Sequence, residues 1–188
     1  QLEEKARQIL SLYGCQEIRT PLIEEAAVFL SSLGESAEIV TKQMYLFADR
    51  GGRQVALRPE GTASVVRAFL EHGLDRTANL TRLYYVGPMF RAERPQAGRR
   101  RQFHQLGVEV FGSASPYQDV EVLLLLTRLL RAWNLTGWTL TLNSVGCRAD
   151  RPKIIEWVRK ALGPHQSQWC PDCQERLAQN PLRILDCK

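Results

Sequence analysis

The feature that most constrains the fold is one long alternating segment, Gln102–Phe111, in which apolar and polar side chains succeed one another. Because successive side chains of a β-strand point to opposite faces, this alternation predicts a strand with two distinct surfaces. One face is an aliphatic stripe typical of a core: Leu106, Val108 and Val110. The other face carries a ring, an amide, a glycine and a carboxylate: Phe103, Gln105, Gly107 and Glu109. Such a strand must lie in a sheet of which one face packs against the hydrophobic core.

The second face of this strand is typical of the floor of a binding pocket. Gly107 has no side chain and is expected to leave room for a ligand between Gln105 and Glu109. Each of these polar residues alone would suit a solvated sheet surface. Their succession beside a neighbouring strand of similar character favours a site for an anionic ligand that also carries an amine.

The neighbouring strand is predicted over residues 83–93, with Gly87, Arg91 and Glu93 on one face. Segment 91–101 contains five arginines and a single acid, so a modest net charge of +5 becomes a local positive field. A loop of this composition is also typical of a bare polyanion-binding patch, or of a hairpin tip kept soluble by charge.

The remaining periodicities predict an α+β fold in which helices flank an antiparallel sheet. The predicted helices are 2–13, 24–33, 61–72, 116–133, 152–162 and Pro171–Gln179. The further extended segments are 16–19, 44–48, 54–58 and 138–145. Segments 44–48 and 54–58 flank a glycine-containing turn and should form a hairpin. Strands joined by hairpins rather than by regular helical crossovers favour an antiparallel sheet.

The apolar residues are too dispersed for a membrane-spanning helix. No apolar run approaches the roughly 20 residues that a bilayer requires, and the first residues lack the pattern of a signal peptide. With 188 residues, 44% of them hydrophobic, the chain can bury one core of ordinary size. We therefore expect a soluble cytoplasmic protein with no membrane partner.

The five cysteines are Cys15, Cys147, Cys170, Cys173 and Cys187. An odd number in a chain without secretory features favours reduced thiols over a disulfide framework. Cys170 and Cys173 have the spacing of half a zinc knuckle, and His165 and Cys187 could in principle complete four ligands. Because no second close pair follows, surface and half-buried thiols are the favoured interpretation, and we expect no structural metal.

Several segments together resemble class II aminoacyl-tRNA synthetases in their histidyl form. Arg91-Ala92-Glu93-Arg94-Pro95, with the loop and the strand that follow as far as residue 112, is similar to the second signature motif. Leu57-Arg58-Pro59-Glu60-Gly61-Thr62 resembles the amino-acid-binding segment of that family. Segment 14–24, centred on Pro21, resembles the first signature motif, and the late string 180–186 also fits. The resemblance therefore covers almost the whole chain.

The resemblance implies a histidine–tRNA ligase, which activates histidine with ATP and Mg²⁺ and transfers it to tRNA(His). Arg91 would be the catalytic clamp on the α-phosphate, because a guanidinium can hold two oxygens and stays charged. Glu93 would face the adenine amino group, and Phe103 would stack on the adenine. Arg99 would reach the outer phosphates, and Mg²⁺ would arrive with ATP as the substrate complex.

The same resemblance implies a histidine site in the binding segment and on the strand floor. Glu60, Thr62 and Gln105 would hold the substrate ammonium, with Gly61 within the same binding segment. Glu109 would accept a hydrogen bond from the imidazole ring. An amino acid without matching donors would leave buried acceptors unpaired, which can cost factors on the order of 10⁴ in selectivity. Glu109 is therefore the predicted determinant of histidine selectivity.

The family pattern also predicts the organisation of the chain. Residues 1–148 would form the class II catalytic core with the first two signature motifs, and residues 149–188 would begin a helical insertion. The first motif usually builds a twofold interface, so a homodimer is expected. The histidine-specific Arg-Gly-Leu-Asp-Tyr-Tyr segment and the third signature motif are not found in the sequence. We therefore expect a truncated fragment with little or no aminoacylation activity on its own.

Two alternatives are compatible with the same residues. The synthetase-like regulatory subunit of ATP phosphoribosyltransferase senses histidine in the same fold, but it tends to lose the ATP-holding residues that are present here. A non-catalytic RNA-binding or dimerisation module would use the arginine loop and the Pro21 segment without chemistry. The synthetase binds histidine and ATP, the sensor binds histidine only, and the module binds neither.

Overall fold

A computed structural model describes residues 1–33, 43–76, 79–94, 96–143, 147 and 149–187 of the chain. The chain divides into two compact units, Gln1–Gly137 and Trp138–Lys188. The domain boundary predicted from the sequence follows residue 148, whereas the first compact unit of the structure ends at Gly137.

The first unit combines four described helices with two three-stranded sheets. The helices are α1 (Leu2–Leu12), α2 (Ala26–Leu33), α3 (Thr62–Glu71) and α4 (Pro116–Ala132), with a 3-10 turn at Leu74–Arg76. The strands are β1 (Gln16–Glu17), β2 (Ile23–Glu25), β3 (Tyr45–Ala48), β4 (Gln54–Leu57), β5 (Thr81–Phe90) and β6 (Gln102–Phe111). β5 pairs with β1 in parallel and with β6 antiparallel, while β4 pairs antiparallel with β2 and β3. The predicted α+β class and the predicted hairpin are confirmed.

The apolar stripe of β6 packs against α1 and α4. Leu106 and Val108 contact a buried cluster that both helices and β5 contribute. The buried members of that cluster are Ala6, Leu10, Cys15, Tyr84, Leu125 and Leu129. The predicted core face of the strand is therefore confirmed, and its bounds coincide with those read from the alternation.

α3 packs across the opposite face of the same sheet. Val65 lies in a buried cluster with three residues of β5: Leu83, Tyr85 and Met89. Phe69 stacks on Phe111 of β6 with ring centroids 4.1 Å apart. This packing brings the N-terminal turn of α3 onto the polar residues of β6.

The ring of Tyr85 fills the space between the start of α3 and β6. Its side chain is 4% exposed, and a Cβ atom built on either Gly61 or Gly107 would overlap the ring. Tyr85 lies directly opposite Gly107 in the strand register. The space that the sequence predicts for a ligand at Gly107 is therefore taken by an aromatic ring of the neighbouring strand, and that prediction is wrong.

β5 ends at Phe90, earlier than the predicted end at residue 93. Arg91 still donates its N–H to the carbonyl of Arg101 at 2.9 Å, and the backbone leaves the ladder at Ala92, which donates to the carbonyl of Gln43 at 2.8 Å. Arg91 and Glu93 therefore lie just beyond the strand, so its predicted end at residue 93 is wrong. Gly87 lies on the face of β5 that packs against α3. The other residues of β5 on that face are Leu83, Tyr85 and Met89.

The single helix predicted over residues 24–33 is interrupted at its start. Ile23–Glu25 forms β2, which pairs with β4, and α2 begins only at Ala26. The extended form of Glu24 is stabilised from outside the strand, since its carboxylate lies 3.0 Å from the guanidinium of Arg67 on α3. A contact of this kind between distant segments overrides local helical spacing.

The predicted strand 138–145 is not formed over its described part. Residues 138–143 have no strand pairing, and residues 144–145 lie outside the described residues. Alternating threonine and leucine produce a half-buried strand only where a neighbouring strand supplies hydrogen bonds. The described part of the second unit contains no strand that could act as that neighbour.

The described part of the second unit is helical. It contains α5 (Asp150–Leu162), α6 (Pro171–Gln179) and the 3-10 helices Gly163–Gln168 and Pro181–Asp186. Arg159 of α5 donates to the carbonyls of Leu177 and Ala178 at 3.2 and 3.1 Å, which ties α5 to the end of α6. Helix Pro171–Gln179 has its predicted bounds. Among the helices that the structure describes, none has the length and hydropathy needed to cross a bilayer.

Replacing Gly107 by alanine tests the packing of Tyr85. The new methyl group would overlap a ring that Gly61 also confines, so the strand or the ring must shift. We expect a loss of about 1–3 kcal/mol in the free energy of unfolding, measured by denaturant titration with amide exchange of β5 and β6 as a local probe.

Gly51→Ala is the matched control in the same unit. Its methyl group would meet the Asp49 carboxylate at 3.3 Å in the exposed turn between β3 and β4, where a side chain can adjust. We expect a change below about 0.5 kcal/mol. Equal losses in the two variants would contradict the proposed role of the ring.

Candidate active site

Glu60 holds the N-terminus of α3 with its carboxylate. Oε2 accepts a hydrogen bond from the backbone N–H of Thr62 at 2.6 Å, and Oε1 accepts from that of Ala63 at 2.9 Å. The first N–H groups of a helix lack partners within it and carry the positive end of its dipole, so a carboxylate is stabilised there. The Glu60 side chain is only 8% exposed. A negative charge is thereby fixed beside the sheet.

A second carboxylate, Glu109, meets the same helix terminus. The Thr62 hydroxyl donates to Glu109 Oε1 at 2.7 Å. Burial raises the pKa of Glu109; the hydrogen bond from Thr62 opposes that rise and the nearby charge of Glu60 adds to it. Two acidic side chains from different elements are therefore linked through one threonine, and a ligand with cationic or N–H donor groups would relieve their repulsion.

Tyr85 belongs to this cluster, although the sequence reasoning missed it. Burial, as the main cause, raises the pKa of its phenol to about 12; the nearby charges of Glu109 and Glu60 act in the same direction. A hydrogen bond with Thr62 opposes that shift. The phenol therefore stays protonated at neutral pH. Strand parity could have revealed it, because Tyr85 shares the face of Gly87 and pairs with Gly107.

Arg91 lies just beyond β5 and is fixed by two contacts. Its Nε donates to the carbonyl of Pro59 at 2.9 Å, and its guanidinium carbon lies 5.0 Å from the ring centroid of Phe103. Among the described residues, no other hydrogen bond occupies the guanidinium. An arginine held by its inner nitrogen and stacked on a ring keeps its terminal nitrogens in a fixed plane, which suits binding of an anion.

The arginine loop continues from the same end of the sheet. Gln96 and Arg99 form a short antiparallel bridge, and Arg99 Nε lies 3.7 Å from Glu93 Oε2. The Arg99 side chain is 62% exposed. Because the contact is long and Arg99 is mostly exposed, it contributes little to stability, and Arg99 can exchange Glu93 for another anionic partner.

Gln105 lies between Phe103 and Glu109 on the face of β6 that packs against α3. Its Oε1 atom is buried and accepts no hydrogen bond from the described residues. A buried carbonyl oxygen without a donor costs on the order of 1–3 kcal/mol. An unsatisfied acceptor at this position is therefore suited to an N–H donor on a ligand.

Arg58 positions the segment that carries Glu60. Its guanidinium donates to the backbone carbonyl and hydroxyl of Thr20 at 2.9 and 3.1 Å, and to the carbonyl of Pro88 at 3.0 Å. Gly87 is required beside it, because a Cβ atom there would approach the guanidinium to 2.5 Å. Arg58 thereby links the first-motif segment and β5 to the turn that precedes α3.

The structure thus brings the predicted site residues together in two groups. Glu60, Thr62 and Glu109 are joined by hydrogen bonds, and Gly61 stands beside them against Tyr85. Arg91 and Phe103 are in contact next to Pro59, while Glu93 and Arg99 contact each other in the loop. Gln105 shares the strand face of Phe103 and Glu109. One end of the site is acidic, and the other is cationic and aromatic.

Glu109→Gln isolates the effect of the buried charge. The pKa of Glu109 is raised above its usual 4.5, so the folded chain keeps its proton where the unfolded chain has lost it. The free energy of unfolding of the parent chain therefore falls as pH rises from about 4.5 through the folded-state pKa. The variant lacks this fall and should gain stability relative to the parent between acid and neutral pH.

Denaturant unfolding at a series of pH values measures this difference. Glu4→Gln, on the exposed surface of α1, gives the baseline for removing one negative charge. The Thr62 hydroxyl can still donate to the amide oxygen of the variant, so the local hydrogen bond is preserved. A difference between Glu109→Gln and the parent that does not change with pH would contradict the analysis.

Comparison with known proteins identifies the family. The family profile described as Histidyl-tRNA synthetase matches residues 1–150. The chain is 56% identical over 187 residues to a histidine–tRNA ligase of Cyanothece sp., and 51% identical to that of Halothermothrix orenii. In both comparisons all of this chain is covered, but only 44% and 45% of the relative. The chain therefore spans less than half the length of these curated relatives.

Solved structures agree with this assignment. The apo histidyl-tRNA synthetase of S. aureus matches with a TM-score of 0.72 and 37% identity, covering 100% of this chain and 44% of that one. A Bacillus halodurans chain described as an ATP phosphoribosyltransferase regulatory subunit/histidyl-tRNA synthetase shares the fold at 23% identity, with a TM-score of 0.65 over 94% of this chain and 49% of its own. The family profile matches residues 1–150, and the curated relatives match the whole length of this chain. The chain therefore belongs to the histidyl-tRNA synthetase family.

Proposed function

We propose that the protein carrying this chain is a histidine–tRNA ligase, which activates histidine with ATP and then attaches it to tRNA(His). The observation that carries the proposal is the pair of carboxylates, Glu60 and Glu109, linked through Thr62 at the acidic end of the site. Arg91, stacked on Phe103, stands at the other end. Histidine offers an ammonium and an imidazole to the first end, and ATP offers phosphates and a purine to the second.

The acidic end has acceptor capacity left for the substrate ammonium. A carboxylate offers about four lone-pair positions, and Glu60 uses only two of them on α3. The Thr62 hydroxyl and the unbonded oxygen of Gln105 supply further acceptors. These three side chains are proposed to bind the ammonium, with Gly61 in the same segment making room for the Tyr85 ring beside them.

Glu109 is proposed to select histidine by accepting an N–H of the imidazole. One of its oxygens is bound by Thr62, and the other is available for that contact. Because the carboxylate is half-buried, an amino acid with an apolar side chain would leave it without a partner. Selectivity then follows from the cost of that unpaired group rather than from the shape of the pocket alone.

In the proposed first step, an oxygen of the histidine carboxylate attacks the α-phosphorus of ATP. The bond from that phosphorus to the bridging oxygen breaks, and pyrophosphate leaves. Arg91 is proposed to bind the α-phosphate oxygens as negative charge develops on them, because its inner nitrogen is already held by Pro59. Mg²⁺ bound with ATP would neutralise part of the polyphosphate charge. Phe103 and Glu93 would contact the adenine, and Arg99 the outer phosphates.

In the proposed second step, a ribose hydroxyl at the end of tRNA(His) attacks the histidyl carbonyl carbon. The hydroxyl loses its proton, and AMP leaves as the new ester forms.

We also propose a cytoplasmic homodimer, with residues 1–148 as catalytic core and residues 149–188 as the start of a helical insertion. Support for the dimer comes from two exposed apolar side chains beside Pro21: Leu22, which precedes the edge strand β2, and Ile23, which begins it.

Arg91→Lys tests the role of the guanidinium. Lysine keeps the charge but loses both the planar fork and the stacking on Phe103. In the full-length protein we expect histidine-dependent exchange of pyrophosphate into ATP to fall on the order of 10²-fold. Arg100→Lys, on the exposed loop, is the matched control and should keep most of the activity. Equal activities of the two variants would contradict the assigned role of Arg91.

Calorimetry with histidine and with ATP separates the ligase from its alternatives. The full-length protein should bind both ligands, and Glu109→Gln should weaken histidine binding while leaving ATP binding unchanged. Binding of histidine alone would favour a regulatory histidine sensor. Binding of neither would favour a non-catalytic RNA-binding or dimerisation module.

A further inference from the structure

Three cysteines of the second unit meet at one point. The Sγ atoms of Cys170, Cys173 and Cys187 all lie within 4.8 Å of one another. The Sγ atoms of Cys170 and Cys187 lie 3.9 Å apart. Neither the proposed catalytic residues nor the proposed substrates involve this cluster, so it requires a separate explanation.

The fold assembles the cluster from two ends of a short helical return. Cys170 precedes α6 and its carbonyl accepts the N–H groups of Cys173 and Gln174 at 3.0 and 3.1 Å, which places Cys173 in the first helical turn. Cys187 follows the 3-10 helix Pro181–Asp186 and donates its N–H to Ile184 at 3.0 Å. The return of the chain therefore brings Cys187, one of the possible ligands considered from the sequence, to the Cys170 and Cys173 pair.

The spacing of the sulfurs is that of thiolates around a tetrahedral metal ion. Zinc–sulfur bonds of about 2.3 Å at the tetrahedral angle separate neighbouring sulfurs by about 3.8 Å. The 3.9 Å between Cys170 and Cys187 matches this value, and the largest separation exceeds it by only about 1 Å. A disulfide would use two of these sulfurs and leave the third without a role.

The second unit also has little else to hold it together. The buried apolar side chains in its described part are Val158, Cys173 and Leu177, with Pro181 beside them. Large apolar side chains remain exposed, Trp157 at 71% and Leu185 at 69%. Units of this size rarely reach stability from an apolar core alone, and a metal is a common supplement.

We propose that Cys170, Cys173 and Cys187 form a structural zinc site that ties the start of α6 to the end of the 3-10 helix Pro181–Asp186. Sulfur ligands favour zinc over the hard cations magnesium and calcium. Among the described residues these three supply the ligand atoms. The fourth ligand is then a water molecule or a group outside the described residues. Each thiol that binds as thiolate releases its proton to solvent, so affinity decreases as pH falls.

The whole chain, purified under reducing conditions, is the material for the test. Titration of the metal-free chain with Co²⁺ should produce the absorption bands of tetrahedral cobalt–thiolate coordination, saturating at about one ion per chain. Zn²⁺ should displace the cobalt and abolish those bands. This measurement needs no variant and is insensitive to the proposed catalytic residues.

Two variants assign the ligands. Changing Cys170 and Cys187 together to serine should weaken zinc binding by at least about tenfold and raise amide exchange in α6 to the level of the metal-free parent. Cys147→Ser is the matched control, because this exposed thiol lies outside the cluster and bonds to Asp150 at 2.9 Å, a contact that serine can keep. The control should bind zinc like the parent.

Several outcomes would overturn the proposal. These are absence of cobalt–thiolate absorption, equal zinc binding by the double variant and the parent, or equal loss in Cys147→Ser. A Cys170–Cys187 disulfide found by mass spectrometry in the chain as isolated, with no bound zinc, would assign the cluster to redox chemistry instead. None of these outcomes bears on histidine or ATP binding, so the two proposals fail independently.

Discussion

The packing of Tyr85 between Gly61 and Gly107 sets the spacing at the acidic end of the candidate site. The ring fixes how closely α3 approaches β6, because neither backbone can carry a side chain at that point. At this separation the Thr62 hydroxyl reaches Glu109 at 2.7 Å, and the helix terminus holds Glu60. A different spacing would separate the two carboxylates, so a steric constraint in the core determines the electrostatics of the site.

A second constraint is the buried guanidinium of Arg58. Burial lowers its pKa, which means that the surroundings oppose its charge. Hydrogen bonds to oxygens of Thr20 and Pro88 offset that cost, and they join segments that are far apart in the chain. The turn after Arg58 then presents the Pro59 carbonyl to Arg91. Arg91, which is proposed to bind the α-phosphate, is therefore oriented through Arg58 and the turn that follows it.

Sequence reasoning succeeds here where local periodicity decides and fails where distant partners decide. β6 has its predicted bounds because ten alternating residues leave one consistent pairing. The end of β5 depends on Gln43, and the extended form of Glu24 depends on Arg67, and neither partner is marked by local pattern. Tyr85 was missed for a related reason: a tyrosine in a strand suggests core, and its role appears only when the register places it opposite Gly107.

The raised pKa of Glu109 links stability to the proposed selectivity. A half-buried carboxylate near Glu60 disfavours the folded state at neutral pH, and a glutamine would remove that cost. A carboxylate is nevertheless the stronger acceptor for an imidazole N–H, and a donor bound there stabilises its ionised form. Under the proposed function, histidine binding would therefore lower the pKa of Glu109 and release its proton where the free protein still holds it. Burial of the Glu109 carboxylate lowers the stability of the protein without histidine. The same burial means that an amino acid without an N–H donor cannot compensate the charge of that carboxylate.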